Sequence, residues 1–92
     1  MVEPEKLLNF FEDLAHKLDI NLVHGKGNFS GGYCHVKNEK YIVINKIKPL
    51  QQRLRVLGQV FKGMDLKDIY MPPALRNYIL DLDGSLFEGE TG

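Results

Sequence analysis

Apolar residues recur at helical spacing in three parts of the chain. The first begins at Pro4, a residue that suits the first turn of a helix, and we expect it to end at Asp19. The second begins at Pro49 and ends at Gly63, a favourable C-cap, and the third runs from Pro72 to about Asp81. Their apolar stripes are Leu7, Leu8, Phe10, Phe11, Leu14, Ala15 and Leu18, then Leu50, Leu54, Val56, Leu57, Val60 and Phe61, then Leu75, Ile79 and Leu80.

Between the first two helices, short apolar runs with period-two alternation predict strands over residues 20–24, 33–37 and 40–45. A turn around Asn38 and Glu39 would place Cys34 opposite Val43. The predicted fold is α+β: an N-terminal helix, a small three-stranded antiparallel sheet, and two to three C-terminal helices, the extra one being a short turn over 65–71. We expect one domain over residues 1–82 and a disordered, glycine-rich tail over 83–92.

Both faces of this predicted sheet are apolar. Alternation places Cys34, Val36, Tyr41 and Val43 on one face, and Tyr33, Ile42 and Ile44 on the other. Three short helices can cover only one face, and an uncovered apolar face usually marks an interface. We therefore expect a non-enzymatic interaction module that binds a protein partner or forms a homodimer, with its interface at Tyr33, His35, Ile42 and Ile44.

The charges are unevenly distributed although the net charge is zero. Residues 26–64 hold eight lysines and arginines and one glutamate, a net charge of +7, while both ends of the chain are acidic. An alternative function is therefore nucleic-acid binding through residues 37–62. Its anion contacts would be Lys46, Lys48, Arg53, Arg55 and Lys62. Against it, the pI is near neutral, no known nucleic-acid module is recognisable, and the acidic ends can fold back on the basic middle.

The sequence favours the cytoplasm. It contains no apolar run long enough to cross a membrane, and its N-terminus lacks the basic start and apolar block of a signal peptide. A single cysteine cannot form an internal disulfide, which fits a reducing compartment.

The glycine-rich stretch over residues 25–32 matches no nucleotide-binding motif. It lacks the spacing of a P-loop, and Ser30 stands where the third glycine of a dinucleotide fingerprint would be. It also leads into a strand, so no helix N-terminus faces it. We expect its role to be conformational, with Gly31 and Gly32 letting the chain turn and approach a neighbour closely. No cofactor is expected.

The candidate reactive residues do not form a site either. Cys34 and His35 are neighbours on a strand, so their side chains point to opposite faces and cannot form a nucleophile–base pair. His24 could approach Cys34 from the next strand, but no motif supports that pair. His24, Cys34 and His35 are also too few and too divergent for a structural zinc site. We therefore expect no catalytic residue, no metal and no enzymatic activity.

Residues 30–64 resemble the core of the small zinc peptidases of the ImmA/IrrE type. In that family a small-residue–glycine step leads into a hairpin whose second strand ends in an apolar-x-Asn pattern. A helix with an R-x-R-F step and then H-E-x-G-H follows. This chain has Ser30-Gly31-Gly32, the run 42–45 ending in Asn45, the step 53–56, and Gly63.

The resemblance implies a scaffold without its metal. Zinc catalysis in this family needs two histidines one helical turn apart and a glutamate that activates water. Here Val60 and Met64 stand at the histidine positions and Phe61 at the glutamate position. The resemblance therefore implies a catalytically inactive, metal-free derivative with apolar side chains where the site would be.

Overall fold

The computed structural model describes residues 2–28 and 31–82. The chain folds in the order α1 (Pro4–Lys17), β1 (Ile20–Gly25), β2 (Gly31–Val36), β3 (Glu39–Asn45), α2 (Leu50–Lys62) and α3 (Pro73–Asp81). The α+β class and the three helices are confirmed. Residues 66–69 form a turn rather than a further helix, with the Ile69 N–H donating to the Leu66 carbonyl. The tail expected over 83–92 lies outside the described residues.

The helices end where local backbone chemistry stops them. Asp19 follows α1 with a φ of 59°, a left-handed conformation that ends the helix and turns the chain into β1. Pro49 and Pro72 are the N-caps of α2 and α3, and the Gly63 N–H caps α2 by donating to the Val60 carbonyl. None of the helices within the described residues is both long and apolar enough to cross a membrane.

The sheet is mixed, and our prediction of an antiparallel sheet was wrong. Its strand order is β1-β3-β2, with β3 parallel to β1 and antiparallel to β2. β3 lies in the centre, where both of its inward isoleucines, Ile42 and Ile44, are fully buried under the helices. β1 and β2 are consequently not neighbours and do not form a hairpin.

The hairpin between β2 and β3 closes earlier than we predicted. Its turn is Lys37-Asn38, with φ values of 50° and 70°, the two positive φ angles of a type I′ turn. Cys34 therefore pairs with Tyr41, not with Val43 as predicted. The pairing has shifted by two residues, so every side chain keeps the face that alternation assigned to it.

α1 and α2 pack on one face of the sheet, and α3 packs against these two helices. The core joins Ile42 and Ile44 to the stripes of α1 and α2, and the Phe11 and Phe61 rings stack with centroids 5.8 Å apart. Tyr78 of α3 meets Phe11 edge-on with centroids 6.0 Å apart. The predicted stripes of α1 and α2 are confirmed, but Leu80 of α3 is 65% exposed and lies outside the core.

Candidate functional site: the open face of the sheet

The second face of the sheet carries apolar side chains that none of the helices α1 to α3, the helices of residues 2–28 and 31–82, covers. We call it the open face and define it by Val23, Cys34, Val36, Tyr41 and Val43. Val36 is 51% exposed, Val23 is 40% exposed and Cys34 is exposed, whereas Tyr41 and Val43 are half-buried. The complete burial of Ile42 and Ile44 on the other side shows that the helices lie there. One face of this sheet is therefore an apolar surface open to solvent.

The open face is uneven, because strand pairing arranges its side chains in rows of different size. One row is Asn21, Tyr41 and Cys34, and the next is Val23, Val43 and Gly32. Among the described residues, no atom lies within 4 Å of the position that a Cβ on Gly32 would take. Among the described residues, Gly32 therefore leaves a notch beside Val43, in the row next to the half-buried Tyr41.

Charge is confined to the ends of the open face. Glu39 is the one charged side chain at the outward positions of the three strands, and it lies where β3 begins. The Asn21 Nδ2 donates to the Lys40 carbonyl at 3.1 Å and lies 3.5 Å from Glu39 Oε1. The exposed Lys26 and Lys46 follow the opposite ends of β1 and β3. The centre of the face is uncharged.

Asn45 holds the glycine-rich segment across the end of β3. Its side chain is fully buried; Nδ2 donates to the Gly27 carbonyl at 2.7 Å, and Oδ1 accepts from the Ile47 N–H at 3.3 Å. The Lys46 N–H donates to the Gly25 carbonyl at 2.8 Å. These bonds satisfy backbone groups that lie beyond the sheet ladder and position the segment that leads to β2.

Gly31, the first residue of β2, has the close backbone approach and unusual φ angle that we expected a glycine to permit. Its φ is +123°, and a Cβ there would lie 2.6 Å from the Val43 carbonyl oxygen. Gly32 has no such restriction. The conformational role predicted for both glycines is therefore confirmed for Gly31 alone.

The residues that we expected at the interface lie on the covered face. Ile42 and Ile44 are fully buried in the core, so they cannot form a surface. Tyr33 is half-buried against the same core, and its ring meets the exposed His35 edge-on with centroids 5.5 Å apart. The apolar stripes of α1 and α2 require a partner, and the branched side chains of the central strand supply it. The exposed apolar residues of the sheet lie on the open face. Alternation along the strands had already assigned Cys34, Val36, Tyr41 and Val43 to that face.

The basic residues do not form one patch in this fold. Arg53 Nε donates to the Lys48 carbonyl at 3.0 Å, just before α2. Lys62 Nζ donates to the Leu80 carbonyl at 3.3 Å and to the Leu82 carbonyl, which places its charge at the end of α3. Lys46 and Arg55 are exposed, on the turn after β3 and on α2 respectively. Two of the five expected anion contacts thus bind backbone carbonyls instead.

The pKa of one described side chain, Tyr78 on α3, departs from its usual value. Burial raises the pKa of the Tyr78 hydroxyl, and the nearby positive charge of Arg55 partly opposes that rise. Both effects leave Tyr78 neutral at physiological pH, so it behaves as a core side chain and not as an acid or base.

The candidate reactive residues are separated. Cys34 is exposed on the open face, whereas the row that pairs His24 with Ile44 places His24 on the opposite face. His24 Nε2 lies 3.7 Å from a carboxylate oxygen of Glu12. Within residues 2–28 and 31–82, no three histidine, cysteine, aspartate or glutamate side chains are grouped so that they could hold a metal ion.

At the positions of the zinc motif, the structure has a packed core. Val60 and Phe61 are fully buried in α2, and the half-buried Met64 packs against the same cluster. Searches against protein families, curated proteins and solved structures found no match to this chain. The resemblance to the zinc peptidases therefore stays a prediction that rests on the residues quoted above.

Proposed function

We propose that this chain is a non-enzymatic interaction module that binds a protein partner through the open face. The observation that carries this proposal is the contrast between the two faces of one sheet, one sealed by helices and one left apolar and exposed. The exposed Val23 and Val36 and the half-buried Tyr41 leave apolar surface in water, which costs free energy that burial against a partner recovers.

We further propose that the scaffold is a metal-free relative of the zinc peptidases and works in the cytoplasm. Val60, Phe61 and Met64 support the first point, since they fill the motif positions with apolar side chains that belong to the core. An exposed single cysteine, Cys34, supports the second, because a free surface thiol is best kept in a reducing compartment.

The test compares two exposed apolar residues on different surfaces. Val36→Lys places a charge on the open face, and Leu80→Lys places one on α3, away from the sheet. Each chain is tagged, cross-linked in cells and purified, and the partners captured are identified and quantified. We expect Leu80→Lys to retain the partners of the parent and Val36→Lys to lose them, with urea melts of all three chains agreeing within about 0.5 kcal/mol.

Equal capture by the two variants would contradict binding through the open face. Nucleic acid that co-purifies with the parent and is lost on Lys46→Glu, but not on Val36→Lys, would favour the nucleic-acid function instead.

A further inference from the structure

We infer that the partner at the open face is a second copy of this chain, packed face to face with its strands antiparallel to those of the first. This inference rests on the proposed function and names the partner for the same surface. Two features of the open face support it, its relief and the placement of its charges, while its area sets how strong the association can be.

The relief of the open face is self-complementary. A twofold axis that runs across the strands, between the two rows, lays each row of one copy on the other row of its partner. Tyr41 then lies on Val43 of the second copy, and Cys34 lies over the notch that Gly32 leaves among the described residues. A twofold interface requires that one patch fit itself, and a large row beside a small row meets that requirement.

The charges favour a twofold axis across the strands over one parallel to the strands. An axis parallel to the strands would bring Glu39 towards Glu39 of the second copy, which is repulsive. An axis across the strands instead brings Glu39 to the end where the exposed Lys26 and Lys46 lie. Symmetry makes that contact twice. The zero net charge of the chain also means that no overall repulsion opposes the association.

The area sets the strength of the association. Three strands about 4.8 Å apart, each six or seven residues long, cover roughly 300 Å² in projection. A standard stable interface buries about 800 Å² on each partner. The pair therefore belongs to the weak, transient class, and we expect it to form only at high protein concentration.

The experiment is sedimentation equilibrium of the full chain at concentrations up to about 1 mM. We expect the parent to self-associate, and Glu39→Lys or Lys46→Glu alone to weaken association about tenfold, because each change acts twice in the dimer. The double variant Glu39→Lys with Lys46→Glu should return to within about twofold of the parent. Gly32→Leu should leave a folded monomer, since its side chain fills the notch. Lys67→Glu, an exposed change in the α2–α3 connection, is the control and should leave association unchanged.

A parent that stays monomeric at the highest concentration would overturn the inference. So would a dimer that tolerates both Gly32→Leu and the single charge reversals. If the parent is monomeric while Val36→Lys still loses a captured protein, the second copy is the wrong partner and the proposed function stands.

Discussion

At the scale of single residues, two adjacent glycines have different roles. Gly31 has a positive φ and lies against the Val43 carbonyl, so only glycine suits it. Gly32 has ordinary backbone geometry, and no atom of the described residues lies within 4 Å of where its Cβ would be. The sequence alone does not distinguish these two glycines, because local composition sets neither the φ angle of each one nor the atoms that lie next to it.

We predict that alanine distinguishes these two positions. Gly31→Ala combines a strained backbone with a clash against a backbone oxygen, so it should cost about 3 kcal/mol or more of unfolding free energy. Gly32→Ala should be neutral or gain up to about 1 kcal/mol, because alanine reduces the entropy of the unfolded chain. Urea denaturation of both variants and the parent measures the difference. Equal effects would show that β2 does not begin as described.

The hairpin turn shows the same limit of sequence reasoning. Lys37 and Asn38 both have positive φ, and only the asparagine signals this in the sequence. Lysine rarely adopts that conformation, so we placed the turn one residue too late. The faces of the strands were still correct, because alternation survives a shift of two in the pairing.

At the scale of elements, the helices were the most predictable part. We located α2 to within a residue from its apolar periodicity and from the flanking Pro49 and Gly63. Both signals depend only on residues within or next to the helix. The face of α3 was less clear. It is a short helix whose burial depends on how closely it approaches α2 at Gly58, and that approach leaves Leu80 outside.

We predict that α2 anchors the core through Phe61. Phe61→Ala removes a fully buried ring stacked on Phe11 and should cost about 3–5 kcal/mol, enough to unfold a domain of this size. Arg55→Ala, an exposed change on the same helix, should stay within about 0.5 kcal/mol of the parent. Denaturant melts followed by circular dichroism compare them. A Phe61→Ala chain as stable as the parent would mean that α2 packs on a different face.

At the scale of the whole molecule, the order of the strands was beyond the sequence. Alternation states which side chains share a face of a strand, but it is silent on which strands are neighbours. Which strands are neighbours depends on the packing of Ile42 and Ile44 against the helices. This tertiary effect outweighs the tendency of consecutive strands to pair. The expected interface was misplaced for the same reason, because only packing decides which face is sealed.

The intact protein should bind no stoichiometric zinc. Val60 and Phe61 are core residues, and the described part of the chain holds no group of three metal-ligating side chains. The measurement is elemental analysis of full-length protein purified without a metal-affinity tag. About one zinc per chain would contradict this prediction, and a loss of that zinc on Cys34→Ser or His24→Ala would identify the ligands.

The central position of β3 has a consequence for synthesis. The ribosome makes β1 and β2 first, yet in the finished sheet neither touches the other, since β3 lies between them. Until Asn45 has emerged, the nascent chain holds two strands without a neighbouring strand, although α1 can already pack on β1. The sheet therefore cannot grow strand by strand during translation. It forms when its last strand arrives, and α2 follows directly to seal it.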